Sequence, residues 1–348
     1  MKFDDLTINE DGTVFEALQK LNNIQDLSIL ILFVSSKKDG SIIGSLTDGD
    51  IRRSLINDKD LFKKVSKICF KNFFYKNESK GFIDLNSLRK ENIKIVPILK
   101  KDKTLSRIID LKKTKSLLPL ECMIMAGGRG KRLSPLTDVV PKPMLILGDK
   151  PIIEHNIDRL ISFGIKKIYI SVKHLGEQIE SYFGDGSSKG IQIEYIWEDK
   201  PLGTAGALAL VNEFKTDHVL LMNSDLFTNV DFEDMYLKLI SEEADMVVAS
   251  TEYKVDVPYA VFECENQKVK AFKEKPSYVY HSNAGVYIFK KELIDKIPKN
   301  SYTDITDLMN ELIANGSKLL HDPIRGYWID IGKPIDYKKA QEFLKHIE

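Results

Sequence analysis

The sequence is poor in the features that mark several large classes of protein. Its three cysteines, Cys69, Cys122 and Cys264, lie far apart and form no CxxC pair, which argues against a disulfide framework or a zinc site. The most apolar stretch, Leu27 to Val34, is too short to span a bilayer, and the N-terminal residues lack the basic and apolar regions of a signal peptide. These absences predict a cytoplasmic protein without a membrane partner.

The chain also has no formal net charge. The chain has 51 Lys+Arg and 51 Asp+Glu, so it is formally neutral, which argues against a protein that coats nucleic acid. The total hides an asymmetry, because residues 1–120 carry 23 basic and 16 acidic side chains, a net charge of +7, which leaves −7 for the remainder. A length of 348 residues also exceeds one ordinary domain. We therefore predict two domains, residues 1–118 and 119–348.

The first domain shows a repeated order of elements. Periodicity predicts a helix over residues 7–20, strands over 30–34 and 42–46, and a short helix over 51–56. Residues 59–118 repeat this order in part, with a strand over 94–99 and then a further strand and the start of a helix over 105–111. The polar run at 112–116 predicts a hinge.

The segment IGSLTDGDIRR, which contains Thr47 and Asp50, resembles a CBS module, a small regulatory unit that normally works in pairs. The resemblance implies that Thr47 lies near the phosphate of a regulatory nucleotide, adenine or another, and that Asp50 accepts hydrogen bonds from its ribose. Both residues could equally cap the following helix, and the sequence leaves the two interpretations open. Thr104 and Arg107 stand at the matching positions of residues 59–118, so we expect one nucleotide site in the pair.

A glycine-rich loop, AGGRGKRLSPLT, follows the apolar run at residues 120–125. Gly127, Gly128 and Gly130 can bring backbone N–H groups close to a phosphate chain, and three basic side chains, among them Arg132, add positive charge. The spacing fits neither GxxxxGK[ST] nor GxGxxG. The loop is therefore predicted to bind phosphates in a way that differs from the two commoner glycine motifs.

The continuation of this loop, DVVPKPML and then KPIIEH, closely resembles the signature of sugar-1-phosphate nucleotidyltransferases. These enzymes join a nucleoside triphosphate to a sugar 1-phosphate, and the resemblance extends over about residues 121–348. It implies that Arg132 and Lys142 are catalytic. Pro141 and Pro143 restrict the backbone on both sides of Lys142, which would hold its ammonium group at a fixed position.

Strands alternate with helices through the second domain, which predicts an α/β fold with a mostly parallel sheet covered on both faces. By resemblance this is a Rossmann-like nucleotidyltransferase domain of the GT-A type, and ligands gather at the carboxyl ends of such strands. The predicted strands are residues 167–172, 192–196, 219–223, 246–250 and 285–289, and the predicted helices are residues 151–163, 175–183, 204–212, 231–241 and 303–314.

The segment EDKPLGTAGAL follows a predicted strand and, by resemblance, holds the nucleobase. Gly203 would let the backbone approach a flat ligand closely. A carboxylate only accepts hydrogen bonds, so Glu198 suits guanine, which presents two adjacent donors, better than uracil or thymine. A solvated loop acid is the alternative interpretation of Glu198.

Two strand ends supply acids for a metal ion. Asp225 follows LLMNS, and Asp330 lies in YWIDIGKP. Two carboxylates together with phosphate oxygens form a hard oxygen site, which suits Mg²⁺. The resemblance places the metal between these two acids and gives Asp225 a further role in nucleotide binding. Ser224 stands where the family usually has glycine.

The segments FKEKP and SNAGVY resemble the sugar-phosphate pocket of the same family. The resemblance implies that Glu274 accepts hydrogen bonds from sugar hydroxyls and that Lys275 meets the sugar phosphate together with Lys142. Asn283 and Gly285 would line the sugar ring, and Gly206 would complete the pocket.

CBS modules followed by a PLGTAG-containing transferase resemble the guanylyltransferases of bacterial surface-sugar pathways, above all the glucosamine-1-phosphate guanylyltransferases of legionaminic acid synthesis. The resemblance implies Mg²⁺-dependent transfer of GMP from GTP to glucosamine 1-phosphate, with release of pyrophosphate, and we expect a homo-oligomer. Mannose 1-phosphate as the acceptor and UTP or CTP as the donor remain alternatives. A non-catalytic protein that senses nucleotides is the alternative from another class.

Overall fold

The structure, a computed structural model, describes residues 5–24, 27–78 and 83–347. The chain divides into two compact units, Met1–Leu117 and Leu118–Glu348. Within the described ranges, no helix combines the length and the apolar character that crossing a bilayer requires. The three cysteines are unpaired.

The first unit is built from two halves with the same strand arrangement. In each half, the first strand runs parallel to the second and the second runs antiparallel to the third. The elements of the first half are β1 (Thr7–Asn9), α1 (Val14–Asn22), β2 (Ile31–Ser35), β3 (Ile42–Thr47) and α2 (Asp48–Asp58); those of the second are β4 (Lys76–Asn77), α3 (Leu85–Lys90), β5 (Ile95–Leu99) and β6 (Leu105–Asp110).

The prediction of one helix over residues 7–20 is wrong at its beginning. β1 occupies Thr7–Asn9, and the helix starts at Val14. Thr13 decides this start, because its hydroxyl accepts from the N–H of Glu16 at 3.2 Å while the Glu16 carboxylate accepts from the N–H of Thr13 at 2.8 Å. This reciprocal capping box ends the extended segment and begins α1.

The register of the two halves also corrects the predicted match between them. The first residue of β2 pairs with Thr47, and the first residue of β5 pairs with Asp110. Asp110 is therefore the counterpart of Thr47, whereas Thr104 precedes β6 and Arg107 lies within it. Residues 111–113 form a turn, so the predicted helix start at 105–111 is also wrong.

Asp110 is buried and links distant parts of this unit. Its carboxylate accepts from the N–H of Ser28 at 2.7 Å and from the Ser28 hydroxyl at 2.8 Å. It also accepts from the N–H of Lys112 at 2.9 Å, as an acid at the start of a turn commonly does. The side chain thereby joins the segment before β2 to the end of β6.

The second unit contains a seven-stranded sheet and several shorter strands. The strands of this unit are β7 (Leu120–Met125), β8 (Ile146–Leu147), β9 (Lys150–Pro151), β10 (Lys167–Val172), β11 (Gln192–Trp197), β12 (His218–Asn223), β13 (Leu226–Thr228), β14 (Met246–Asp256), β15 (Val261–Glu265), β16 (Lys268–Lys273), β17 (Ser277–Lys290), β18 (Leu319–Pro323) and β19 (Trp328–Asp330). The order in the large sheet is β11-β10-β7-β12-β17-β14-β18. β17 runs antiparallel to both neighbours, and the other adjacent pairs are parallel, so the prediction of a mostly parallel sheet is confirmed.

Helices cover both faces of this sheet. Ile157 and Met235 belong to the core on one face, whereas Ala205 and Leu308 belong to the core on the other. The helices are α4 (Ile152–Ser162), α5 (Gly176–Phe183), α6 (Gly203–Gly206), α7 (Phe232–Ser241), α8 (Ile305–Ala314) and α9 (Pro334–Ile347). The helix predicted over residues 204–212 is shorter than expected, because α6 passes into a 3-10 turn at Ala207–Leu210.

An exposed β arm extends from the sheet. The outer halves of β14 and β17 pair from Thr251 with Ser282 to Asp256 with Ser277, and the β15–β16 hairpin lies between them in sequence. The predicted strands 246–250 and 285–289 are the ends of β14 and β17 that lie in the buried sheet. Sequence periodicity therefore identified the buried portions and missed the arm.

Candidate active site

A pocket of about 560 Å³ lies at the carboxyl ends of β7 and β12. This is the edge at which parallel strands of an α/β sheet present their loops to ligands. The structure brings eight predicted residues to its lining: Gly127, Gly128, Gly130, Arg132, Lys142, Glu198, Gly203 and Asp225.

The glycine loop is pressed against its surroundings. Gly130 has φ of 62°, and a Cβ there would lie 3.0 Å from Cβ of Lys142 and 3.1 Å from Cγ2 of Thr137. The Thr137 hydroxyl donates to the carbonyl of Gly130 at 2.9 Å. A side chain at Gly130 would be strained and would crowd Lys142 and Thr137. Glycine avoids both problems and so lets the loop approach Lys142.

Lys142 forms a buried ion pair with Asp225. Lys142 is only 9% exposed, and its Nζ contacts Oδ2 of Asp225. Pro141, in an extended conformation, precedes the 3-10 turn Lys142–Met144 that carries the side chain. A charge so far removed from water needs a partner, and the pair supplies one to each residue.

Asp330 lies beside this pair because β13 and β19 are hydrogen-bonded. Leu226 is the register partner of Asp330, and the N–H of Ile331 donates to the carbonyl of Asp225 at 3.0 Å. Burial, and then the nearby negative charge of Asp225, raise the pKa of the Asp330 carboxyl above its ordinary value. Two neighbouring carboxylates of this kind can bind a divalent cation.

The donor set at these acids fits a hard divalent cation. Oδ1 of Asp225 is buried and has no hydrogen-bond partner in the described part of the chain, although such an atom normally has one. Within the same residues, no group of three or more His, Cys, Asp or Glu side chains forms a metal site. A cation here would therefore use Asp225 and Asp330 and take its other ligands from water or substrate, as Mg²⁺ commonly does.

Glu198 is buried, so the interpretation as a solvated loop acid is wrong. Its Oε1 accepts from the hydroxyl of Ser171, and its Oε2 accepts from the N–H of Leu202 at 3.0 Å. The carboxylate thus holds the loop before α6 against β10. A carboxylate has about four acceptor positions, so these two bonds leave others for a ligand.

A strap of residues 301–304 was not predicted as part of the site. The carbonyl of Thr303 accepts from the N–H groups of Ala205 and Gly206, each at 3.0 Å, and Tyr302 and Asp304 line the pocket. The pattern in the sequence around Asp304 indicates only a helix start. The position of the strap beside α6 depends on contacts between residues about one hundred positions apart in the sequence, which local patterns do not encode.

Two glycines of α6 make room for this strap. Gly203 has φ of 75°, and a Cβ there would lie 2.5 Å from the carbonyl oxygen of Thr303. A Cβ at Gly206 would lie 2.7 Å from the carbonyl oxygen of Ser301. Gly206 does not line the pocket itself, and its contacts show a role in packing.

The residues predicted to bind the sugar lie mostly outside this pocket. Glu274 and Lys275 are exposed in the turn after β16. Asn283 is exposed on β17, where its Oδ1 accepts from the N–H of Gly285 at 2.9 Å. Gly285 approaches the pocket, since a Cβ there would lie 2.7 Å from Nδ2 of Asn223, a lining residue.

In the first unit, Thr47 and Asp50 form a capping box at the start of α2. Oδ2 of Asp50 accepts from the N–H of Thr47 at 2.8 Å and from its hydroxyl at 2.6 Å. Oδ1 of Asp50 pairs with Arg53 at 2.5 Å. The capping interpretation describes this geometry, and a nucleotide would have to compete with these bonds.

Residues 121–347 match the family model described as Nucleotidyl transferase. The chain belongs to this family. Mannose-1-phosphate guanyltransferase beta-B of Xenopus laevis is 32% identical over 226 residues, which are 63% of this chain and 62% of the relative. UTP–glucose-1-phosphate uridylyltransferase of Synechocystis sp. is 33% identical over 242 residues, which cover 64% of this chain and 62% of the relative. The matched part of the chain thus spans about 62% of the length of these relatives.

A solved structure supports the assignment of the fold. The Bacillus anthracis protein, named as a glucose-1-phosphate thymidylyltransferase and in complex with sucrose, matches the chain with a TM-score of 0.54 and 26% identity. The match covers 66% of this chain and 96% of that one. It confirms the predicted nucleotidyltransferase fold of the second unit.

The raised pKa of Asp330 generates a prediction about stability without metal. A carboxyl whose pKa is higher in the folded than in the unfolded state destabilises the fold when it ionises, as pH rises through the folded value. Asp330→Asn should therefore melt at or above the wild-type temperature at pH 7.5 in EDTA, and the difference should shrink toward pH 5. Asp149→Asn, at an exposed turn residue, is the control. A variant that melts below wild type throughout this range would contradict the prediction.

Proposed function

We propose that this nucleotidyl transferase joins the nucleotidyl group of a nucleoside triphosphate to a sugar 1-phosphate and releases pyrophosphate. The observation that carries the proposal is the buried pair of Lys142 and Asp225 in a pocket that the glycine loop also lines. The pair places a fixed positive charge and an unpartnered carboxylate oxygen where a phosphate chain would lie. Relatives named as guanylyl- and uridylyltransferases for sugar 1-phosphates support it.

The reaction is an in-line displacement at the α-phosphorus. An oxygen of the sugar 1-phosphate forms the new P–O bond, the bond from the α-phosphorus to the bridging oxygen breaks, and pyrophosphate leaves with that electron pair. The nucleophile is already an anion at neutral pH, so neither a general base nor a covalent enzyme intermediate is needed. Catalysis then rests on positioning and on neutralising charge.

The chain's own groups supply both requirements. The N–H groups of the loop at Gly127, Gly128 and Gly130 hold the triphosphate, and Arg132 neutralises its outer phosphates. Lys142 lies between the two reacting phosphates and offsets their repulsion. A divalent cation such as Mg²⁺, when bound to Asp225 and Asp330, supplies Lewis-acid stabilisation of the phosphate charge.

GTP is the proposed donor and glucosamine 1-phosphate the proposed acceptor. Glu198 lines the pocket and retains acceptor positions that suit the adjacent donors of guanine. The relative named as a mannose-1-phosphate guanyltransferase also favours GTP, whereas the uridylyltransferase keeps UTP as the alternative. Glucosamine, like a role in legionaminic acid synthesis, rests on the resemblance to bacterial surface-sugar guanylyltransferases.

The sugar is proposed to contact the arm and the adjoining part of β17. Glu274 would accept from its hydroxyls, Lys275 would meet its phosphate, and Asn283 and Gly285 would line its ring. Gly285 supports this proposal, because it already lies against Asn223 at the pocket. Lys275 has φ of 43°, a left-handed conformation uncommon outside glycine, and such positions often serve a function.

Residues 1–117 are proposed to be a CBS pair that binds a regulatory nucleotide at Thr47 and Asp50. The equal arrangement of the two halves supports a duplicated module. Asp110, in place of a second threonine, supports a single nucleotide site. Assembly as a homo-oligomer and a cytoplasmic location complete this proposal.

A matrix of substrates tests the proposed activity. GTP, ATP, UTP and CTP would each be combined with glucosamine, N-acetylglucosamine, mannose and glucose 1-phosphates in Mg²⁺, with pyrophosphate release as the readout. We expect the highest kcat/KM with GTP and glucosamine 1-phosphate. Preference for UTP or CTP would overturn the guanine assignment. Absence of pyrophosphate in every combination would instead favour a protein that only senses nucleotides.

Replacement of Lys142 tests the mechanism. Lys142→Ala and Lys142→Gln should lower turnover on the order of 10²- to 10³-fold, because each removes a preorganised charge from the reacting phosphates. Lys200→Ala, an exposed neighbour of the pocket that does not line it, is the matched control. Melting temperatures identify unfolded variants. Near-normal turnover of a folded Lys142 variant at saturating Mg²⁺ would show that the assignment is wrong.

Regulation through the first unit can be tested in the same assay. AMP, ATP or the product nucleotide sugar should change the rate of the wild-type chain, and Asp50→Asn should weaken this effect several-fold because it removes the charge and replaces one of the two acceptor oxygens with a donor. Asp48→Asn alters the same helix turn and is the control, since Asp48 pairs outward with Arg52. An unchanged effect in Asp50→Asn would place the nucleotide elsewhere, for example in the active site.

A further inference from the structure

A second groove, of about 410 Å³, adjoins the nucleotide pocket. The two cavities share Arg132 and Gly332 in their linings. A Cβ at Gly332 would contact both Nη2 of Arg132 and Oδ2 of Asp330, each at 3.4 Å. A longer side chain would therefore occupy the space between the cavities, whereas glycine leaves it open.

Unpaired positive charges line this groove. Arg132, Lys333 and Lys339 are exposed, and among the described residues none of these three side chains forms a hydrogen bond or salt bridge. Lys333 immediately precedes α9, and Lys339 lies within it, so both ammonium groups belong to one short stretch of chain. Three cationic side chains that line one groove without a hydrogen bond or salt bridge favour an anionic ligand.

We propose that this groove receives the pyrophosphate that leaves the active site. The proposal rests on the function proposed above, in which Arg132 neutralises the outer phosphates of the triphosphate. Once the bond to the α-phosphorus breaks, those phosphates remain beside Arg132, the cation common to both cavities. Lys333 and Lys339 then offer positive charge on the far side of Arg132, which favours movement of the anion away from the reaction centre.

Two acids limit how tightly the groove holds an anion. Asp330 is assigned to the cation site, and Asp336 lies in the first turn of α9, three residues before Lys339. Residues three apart on a helix are neighbours, so Asp336 repels an anion beside Lys339. The groove therefore combines attraction with a repulsion that permits release.

Product inhibition by pyrophosphate tests the groove in the full-length chain. Lys333→Ala and Lys339→Ala should each raise the inhibition constant of pyrophosphate about three- to tenfold, because each removes one partly exposed charge. Asp336→Asn should lower it about two- to threefold. Lys338→Ala is the matched control, because Lys338 has the same charge on the same helix and is exposed but does not line the groove.

The inhibition constant of pyrophosphate should change in opposite directions in the lysine and aspartate variants, which separates this proposal from a general effect on α9. Damage to the helix would change the inhibition constant in the same direction in the lysine and aspartate variants, and that result would overturn the proposal. Equal effects of Lys338→Ala and Lys339→Ala would also overturn it. Sugar 1-phosphate also has an anionic phosphate group that such a groove could bind. If its KM rose while inhibition by pyrophosphate stayed constant, the groove would serve the acceptor and the proposal would be wrong.

Direct titration makes the result independent of catalysis. Calorimetry with inorganic pyrophosphate on the full chain should show weaker binding to Lys333→Ala and Lys339→Ala than to Lys338→Ala. This difference would support the groove even if no substrate pair released pyrophosphate, in which case only the proposed reaction would fail. Equal binding to all three variants would overturn the groove, whatever the activity.

Discussion

The ion pair between Lys142 and Asp225 is the interaction on which the candidate site depends. It joins the loop after β7 to the end of β12, and both residues are largely withdrawn from water. A buried charge without its partner costs several kcal/mol, so the two segments are held to each other. The close approach at Gly130, the proline before Lys142 and the β13–β19 pairing each support the position of this pair. The glycine loop and both acids consequently meet at one edge of the sheet.

A second set of contacts shapes the opposite wall of the pocket. Glu198 holds the loop before α6 through Leu202, and the strap of residues 301–304 closes on α6 from the other side. Gly203 and Gly206 permit that closure because any side chain there would collide with the strap. The sequence suggests that Glu198 would contact a base directly. The structure shows that Glu198 also holds in place the wall of the pocket that surrounds it. The glycine-loop end of the pocket and the wall beside Glu198 are thus built by separate interactions.

Sequence patterns predicted the buried sheet well, and they singled out glycine-loop residues that line the pocket. The strands at 167–172 and 219–223 agree with β10 and β12 within one residue, because most residues of both are apolar and buried. The outer halves of β14 and β17 were missed, since both faces of the arm are exposed and mixed in polarity. Helix α9 was missed as well, because few of its residues are buried. Periodicity reports burial, so elements with little burial give a weak pattern.

The sequence by itself determined the two-unit organisation, the α/β class of the second unit and the chemistry of its loop, because glycines, prolines and charges act locally and in chain order. Only the tertiary structure decided which of those residues meet. It paired Lys142 with Asp225, placed Asp330 beside them and left Glu274 and Lys275 on the arm. It also showed that Asp110 is the counterpart of Thr47 and opened the groove at Lys333 and Lys339. These outcomes depend on strand register and on contacts between residues far apart in the chain. The local sequence does not distinguish among the possible contact partners of a residue, whereas packing of the whole sheet allows only one arrangement.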